Sequence, residues 1–392
     1  MTVILDYFTA ILAQDSILAM AVTFLATVAM SIVLGRFTIA WLNRQCIQDG
    51  APRKASDTLN EMNKKKARTP TMGGLFIMAT TFLAALAALP LSGDSLKEAA
   101  PAFMCLAAML GSAALGAFDD WAKLKRKGKD GIPARAKLAG QVSLYTLCAI
   151  GIWAFTPAEA QTLWVPILDI HLHLGWLMMP LGVFVMTGAS NAVNLSDGLD
   201  GLAGGMTVMV ALVFAAVGLV ATTALGNAPH GQSTFYTGTL SIIVAASVLG
   251  FLYYNRHPAK VFMGDTGSLA LGAGLGAIAM ALRVELLLAV AGIVFVAEAM
   301  SVMMQVGYFK LSGGKRIFKC APLHHHFQFS GWNETKVTRR FWAATAMACM
   351  VALAMAFSSS HFKAELPTSP EVQGTPKPEP AMLEDVPMAV SR

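Results

Sequence analysis

The chain has 392 residues, of which 55% are hydrophobic and only 13% charged, with a net charge of +6 at pH 7 and a mean hydropathy of +0.57. Soluble domains devote roughly a quarter of their residues to charge, and half that share cannot cover a core this apolar in water. The composition excludes an ordinary cytosolic enzyme, a disordered chain and a nucleic-acid-binding module, and leaves an all-α polytopic membrane bundle built from spans of about 20 apolar residues.

Residues 1–16 carry Asp6 and Asp15 but no Lys or Arg. They lack the basic region of a secretory signal and read as a short interfacial helix. Apolar runs then place ten spans near 17–41, 73–91, 100–118, 138–155, 174–190, 202–222, 239–253, 269–282, 286–307 and 341–357, the split around Arg283 and Glu285 being the weakest. This divides the chain into an N-terminal segment (1–16), a ten-span catalytic domain (17–357) and a tail (358–392) rich in Pro, Ser, Thr and Glu that reads as a disordered extension. The five cysteines form no CxxC pair and read as small hydrophobes.

The loops after spans one, three, five, seven and nine carry 7, 7, 0, 2 and 7 Lys or Arg, 23 of the 29 in the chain. Basic loops stay in the cytoplasm, so both termini are expected in the periplasm of a bacterial inner membrane.

The misplaced polar residues follow the same side. Lys64, Lys65, Lys66 and Arg68 precede Thr69-Pro70-Thr71-Met72-Gly73-Gly74, which is either a basic flank with a helix start or a phosphate site at a helix N-terminus. Asp119 and Asp120 close span three ahead of Lys123. Acids at a helix C-terminus oppose its dipole, so the pair suggests metal or phosphate handling rather than stability. Asn191, Asn194 and Asp197 share one helical face, with Gly198, Asp200 and Gly201 in a tight turn.

The fourth such loop holds Asn255, His257 and Lys260, then Phe262 and Gly264-Asp265-Thr266-Gly267-Ser268. Asp265 suits a magnesium site completed by substrate phosphates, with Asp119, Asp120, Asp197 and Asp200 as further carboxylates. Glu298 and Gln305 lie inside span nine, where ionisable or polar groups mark function or a bundle-facing hydrogen bond. His324, His325 and His326 are adjacent and diverge, which disfavours a zinc site and favours phosphate or sugar hydrogen bonding. Arg339 and Arg340 read as interface anchors.

The segments TPTMGG (69–74), DDWAK (119–123), NAVNLSDGLDGL (191–202), NRHPAKVFMGDTGSL (255–269), VAEAMSVMMQVGYFKL (296–311) and APLHHHFQFSGWNETKVTRRFW (321–342), in this order, resemble the phospho-N-acetylmuramoyl-pentapeptide transferase family. Gln328 stands where that family usually has Glu, and Thr338 where an aliphatic is usual. The resemblance implies transfer of phospho-N-acetylmuramoyl-pentapeptide from its UDP-linked donor to undecaprenyl phosphate, with magnesium, giving lipid I and UMP. It implies Asp265 as the magnesium ligand and Asp119 and Asp120 beside the lipid phosphate, with Lys123 and His324 at the reaction centre. Substrate contacts would come from Lys66, Thr69, Thr71, Asn191, Asn194, Asp197, Asp200, Asn255, Phe262, Gln305, His325 and His326. A transferase acting on UDP-N-acetylglucosamine and an anionic-substrate transporter are the rival readings, and a homodimer is compatible with the sequence.

The second pKa of a phosphate monoester is about 6, so the acceptor is already largely dianionic at pH 7. A general base is not required. Asp119 or Asp120 is expected to position phosphate or metal, with direct attack by the lipid phosphate rather than through an aspartyl-phosphate.

Overall fold

The computed structural model describes residues 15–45, 47, 66, 69–125, 131–156, 161–225 and 229–359. The expectations for residues 1–14, the cations Lys64, Lys65 and Arg68, and the tail from 360 lie outside them. The helices are α1 (Asp15–Arg44), α2 (Gly74–Ala88), α3 (Gly93–Lys125), α4 (Ala134–Ala154), α5 (Met178–Ser196), α6 (Leu202–Leu225), α7 (Pro229–Asn255), α8 (Gly264–Leu282), α9 (Glu285–Ala291), α10 (Ile293–Leu311), α11 (Leu323–Gln328) and α12 (Glu334–Ser358). Among the described residues, eight helices are long and apolar enough to cross a membrane, and the chain is a multi-pass membrane protein. The 15-residue α2 is shorter, and the 21-residue α4 opens with Arg135 and Lys137, which dilute its first turn.

Two expectations need correction. The span expected at 286–307 is two helices that meet at Gly292, whose backbone leaves the helical region (φ −94°, ψ 19°). Helix α3 starts at Gly93 rather than near 100 and runs on to Lys125, so Asp119 and Asp120 lie inside a helix, not at its end. One short hairpin accompanies the all-α bundle. Between α4 and α5, β1 (Thr162–Val165) pairs antiparallel with β2 (Ile170–His173), Thr162 opposite His173. The hairpin turns at Asp169, whose φ of 51° is a left-handed conformation that Asp tolerates, and the Asp169 carboxylate accepts from the buried Trp164 indole at 3.0 Å.

Helix α8 forms the centre. Its sequence, GDTGSLALGAGLGAIAMAL, is mostly small residues, and every residue from Thr266 to Leu282 is buried. In a bilayer, where lipid tails are as apolar as leucine, close backbone approach replaces the hydrophobic drive between helices. Gly272 and Gly276, a turn apart, lie against the backbone of α5 at Ala189 and Met186, where a Cβ would come within 2.3 and 2.7 Å. Helices α2, α3 and α6 also pack on α8, and α1, α10 and α12 lie farther out with apolar side chains exposed, such as Leu25, Met303 and Met350.

Polar groups inside the bundle find partners, as the dry interior requires. The hydroxyls of Thr80 and Thr81 donate to carbonyls one turn back. Ser112, Tyr145, Gln141, Ser190 and Asn191 form a buried chain of hydrogen bonds linking α3, α4 and α5, ending on the Leu269 carbonyl of α8 at 3.0 Å. That chain fixes α8 against its neighbours at the level where the charged residues begin.

Candidate functional site

The first turn of α8 leaves backbone N–H groups without intrahelical acceptors, and no side chain of its own caps them. Asp120 of α3 caps them from outside. Its carboxylate accepts from Asp265 N at 3.1 Å, Thr266 N at 3.0 Å and Thr266 Oγ1 at 2.7 Å. Gly264 makes this approach feasible: its φ is 72°, and a Cβ there would lie 2.6 Å from Asp120 Oδ2 and 3.1 Å from Thr71 Oγ1. The TPTMGG segment is held beside it, because Gly73 N and Gly74 N donate to the carbonyls of Phe262 and Met263, and Phe262 N donates to Pro70 O.

Capping by Asp120 turns the next acid outward. Asp265 Oδ2 accepts from Lys123 Nζ at 3.0 Å and Lys137 Nζ at 2.5 Å, and Oδ1 accepts from Asn194 Nδ2 at 3.0 Å. The same two lysines reach Asp119 Oδ2, at 2.8 and 3.4 Å, while Asp119 Oδ1 accepts from Ile132 N at 2.6 Å. Two carboxylates and two ammonium groups from α3, α4 and α8 thus share one small volume. Asp119 is buried, whereas the Lys123 side chain is 43% exposed and gives the cluster an open side. The carboxylate oxygens of Asp119 and Asp265, held in this state by Lys123 and Lys137, are hard donors of the kind that suit a divalent cation such as magnesium. Asp119 and Asp265 fit that role, but Asp120 has both oxygens committed to the end of α8.

A second charged group joins four loops. Lys66 Nζ lies 2.7 Å from Asp200 Oδ1 and 2.5 Å from Glu334 Oε1, and 5.9 Å from the centre of the Phe262 ring. Asp200 Oδ2 faces His257 Nδ1 at 2.9 Å and accepts from Ala259 N, while Glu334 Oε1 accepts from Asp200 N. Asp200, His257 and Glu334 offer ligand atoms close enough together for a metal ion. Lys66 is seated between the two carboxylates, as Lys123 and Lys137 are in the first cluster, and the arrangement ties the loops together. Asn255 adds to this: its amide accepts from Gly201 N at 2.9 Å and donates to Val261 O at 2.8 Å. The indole of Trp342 donates to Gly201 O at 3.2 Å.

The three histidines occupy α11 and diverge as expected. His324 is buried against Glu298 of α10; His325 Nδ1 lies 2.8 Å from Gln328 Oε1; His326 Nδ1 accepts from Lys319 N at 3.2 Å. Gln305 Oε1 accepts from Ile317 N and Phe318 N and so anchors the segment leading to the histidines. In that segment burial pushes the Cys320 thiol pKa up, which keeps it protonated and a poor nucleophile.

Of the residues expected at the site, Asp119, Lys123, Asn194 and Asp265 meet in one cluster, with Asp120 and Thr71 behind it. Lys66, Asp200, Asn255 and Phe262 form the neighbouring group, where Thr69 N donates to Lys66 O. Asn191 turns away from Asp265 and donates to Gln141 Oε1 and Thr187 O. Asp197 stands just past the C-terminus of α5, its N–H on Asn194 O. Sequence reasoning did not select Lys137, His257 or Glu334. Lys137 sits in the first turn of a helix, where a cation opposes the dipole, and that mismatch was a usable signal. His257 and Glu334 carried none beyond lying in loops already rich in polar residues.

A sequence profile described as Glycosyl transferase family 4 matches residues 102–283. The phospho-N-acetylmuramoyl-pentapeptide-transferase of Maridesulfovibrio salexigens is 40% identical over 339 residues, covering 84% of this chain and 90% of the relative. The enzyme of that name from Heliobacterium modesticaldum is 38% identical over 337 residues, covering 85% and 96%. The one from Nitratidesulfovibrio vulgaris is 41% identical over 342 residues, covering 83% and 89%.

Proposed function

The chain belongs to the phospho-N-acetylmuramoyl-pentapeptide-transferase family, and we propose that the Asp119–Lys123–Lys137–Asp265 cluster is the centre at which it makes lipid I. The enzyme is a glycosyl-1-phosphate transferase acting on UDP-N-acetylmuramoyl-pentapeptide. We take the acceptor to be undecaprenyl phosphate and the setting to be the bacterial inner membrane, with the cluster facing the cytoplasm. The observation that carries this reading is the pairing of two carboxylates with two ammonium groups at the N-terminus of the central helix.

An oxygen of the lipid phosphate attacks the sugar-bearing phosphorus of the donor. The new P–O bond forms as the bond to the bridging oxygen of UMP breaks, and UMP leaves with that electron pair. Two anions must approach, so catalysis is mainly positioning and charge cancellation. Lys123 and Lys137 supply fixed positive charge there, and Asn194 holds Asp265 in place. Asp265 and Asp119 are the residues that would hold magnesium. Once bound, the ion would supply further positive charge to the phosphate oxygens. Asp120 acts through the fold, by fixing the turn that presents Asp265. We assign Lys66, Asp200 and Phe262, which group beside this cluster, to the nucleotide of the donor.

The test is purified protein with undecaprenyl phosphate and either UDP-N-acetylmuramoyl-pentapeptide or UDP-N-acetylglucosamine, with UMP release as readout. UMP should appear with the first donor only and stop when divalent ions are chelated. Release with UDP-N-acetylglucosamine alone would overturn the donor assignment, and unchanged release in Asp265→Ala would remove Asp265 from the centre.

A further inference from the structure

Glu298 is fully buried in α10, inside the bundle, and its two carboxylate oxygens are both turned onto one residue. Oε1 accepts from the backbone N–H of His324 at 3.1 Å, and Oε2 lies 3.1 Å from His324 Nδ1. Oε1 already accepts the His324 backbone N–H, and a carboxylate that also accepts at Oε2 places the ring proton on Nδ1. That leaves Nε2 as a bare acceptor. Nε2 is buried with no hydrogen-bond partner, on a residue that is 1% exposed, an arrangement that asks for an explanation. It points at the turn after α5, where a Cβ on Gly198 would lie 2.3 Å away. One helical turn earlier, Asn194 holds Asp265.

We propose that Glu298 is a positioning residue that locks His324 in the Nδ1–H tautomer, so that Nε2 faces the 197–201 turn as a hydrogen-bond acceptor for an N–H or O–H group when the nucleotide-sugar donor engages that turn. This rests on the reading of that turn as the donor side of the reaction centre. The orienting logic is that of a carboxylate behind a working imidazole, where the carboxylate selects the tautomer and fixes the ring. His326 shows the opposite state on the same helix, since its Nδ1 accepts from Lys319 N, which puts its proton on Nε2.

Glu298→Gln keeps the shape and inverts the instruction. The one remaining oxygen is needed by the His324 backbone N–H, so the amide N–H₂ donates to Nδ1 and drives the ring proton to Nε2. The experiment uses the full chain in lipid with ¹⁵N-labelled histidine, the His324 signals being assigned by difference from His324→Asn, beside kinetics of UMP release. The wild-type ring should carry its proton on Nδ1 and the Glu298→Gln ring on Nε2. The kcat of that variant should fall roughly 10- to 100-fold, the usual effect of removing an orienting partner, with little change in donor KM. A proton on Nε2 in the wild type, or wild-type kcat in Glu298→Gln, would overturn the proposal. If the wild type released no UMP at all, the functional reading would fail, and the ¹⁵N signals would still decide the tautomer.

Discussion

Adjacent residues on a helix point about 100° apart, and that angle gives Asp119 and Asp120 different partners. Asp120 meets the backbone of α8 and completes its first turn, whereas Asp119 meets Lys123 and Lys137. Asp120→Ala removes the acceptor of three hydrogen bonds and leaves buried donors unpaired, which costs about 1–3 kcal/mol. Thermal unfolding in detergent should show a lower midpoint, and activity should fall with it. Asp119→Asn keeps its volume and its contact with Ile132 N but loses the charge that holds the lysines. UMP release should drop by roughly 10²-fold with the unfolding midpoint little changed. Because the lipid phosphate is already deprotonated above its second pKa of about 6, raising the pH should not restore that variant; recovery at high pH would make Asp119 a base. Position 328, where the family usually carries Glu, still presents an oxygen to His325 Nδ1, so the change to Gln keeps the acceptor.

Between elements, the reaction centre depends on how closely α3 approaches the start of α8. Gly116 lies one turn before Asp120 and touches the Asp265 backbone, where a Cβ would come within 2.2 Å of Asp265 O. No flexible side chain stands there to give way, so Gly116→Ala must push α3 off the turn that carries Asp265. The expected cost is about 1–3 kcal/mol, and UMP release should fall further than stability alone explains. Gly93→Ala, at a position with open space around it, is unsuitable as a control because its φ of 72° is itself strained for alanine. Gly188→Ala, in open space on α5, is the proper comparison and should leave both readouts near wild type. The broken span α9–α10 has a similar logic: the bend at Gly292 precedes the helix whose Glu298 and Gln305 hold the histidine segment from two points.

At the scale of the molecule, the clusters draw on α3, α4, α5, α8, α10 and α12 but lie at the ends that face the Lys- and Arg-rich loops, opposite the β1–β2 hairpin. This sidedness is testable directly. With the native cysteines replaced by alanine, Lys315→Cys should react with a membrane-impermeant thiol reagent only from the cytoplasmic side of oriented vesicles. Leu168→Cys in the exposed hairpin turn should react only from the periplasmic side. Reaction from the opposite faces would invert the topology. Sequence by itself determined the membrane class, the approximate place of most of the apolar helices and the motifs that carry Asp119, Asp265 and the histidines. Hydropathy and charge are sums over neighbouring residues, so they can be read locally. The break at Gly292 was less legible, since a glycine in an apolar run is compatible with a straight helix. Tertiary structure decided which of two adjacent acids caps a helix and which faces the lysines. It also brought in Lys137, His257 and Glu334, and aimed Glu298 at His324. Those contacts join residues 145, 128 and 134 positions apart for Asp120–Asp265, Lys137–Asp265 and Asp200–Glu334. No local periodicity links positions so distant; only the packing of α3, α4 and α12 around the centre brings them within hydrogen-bond reach.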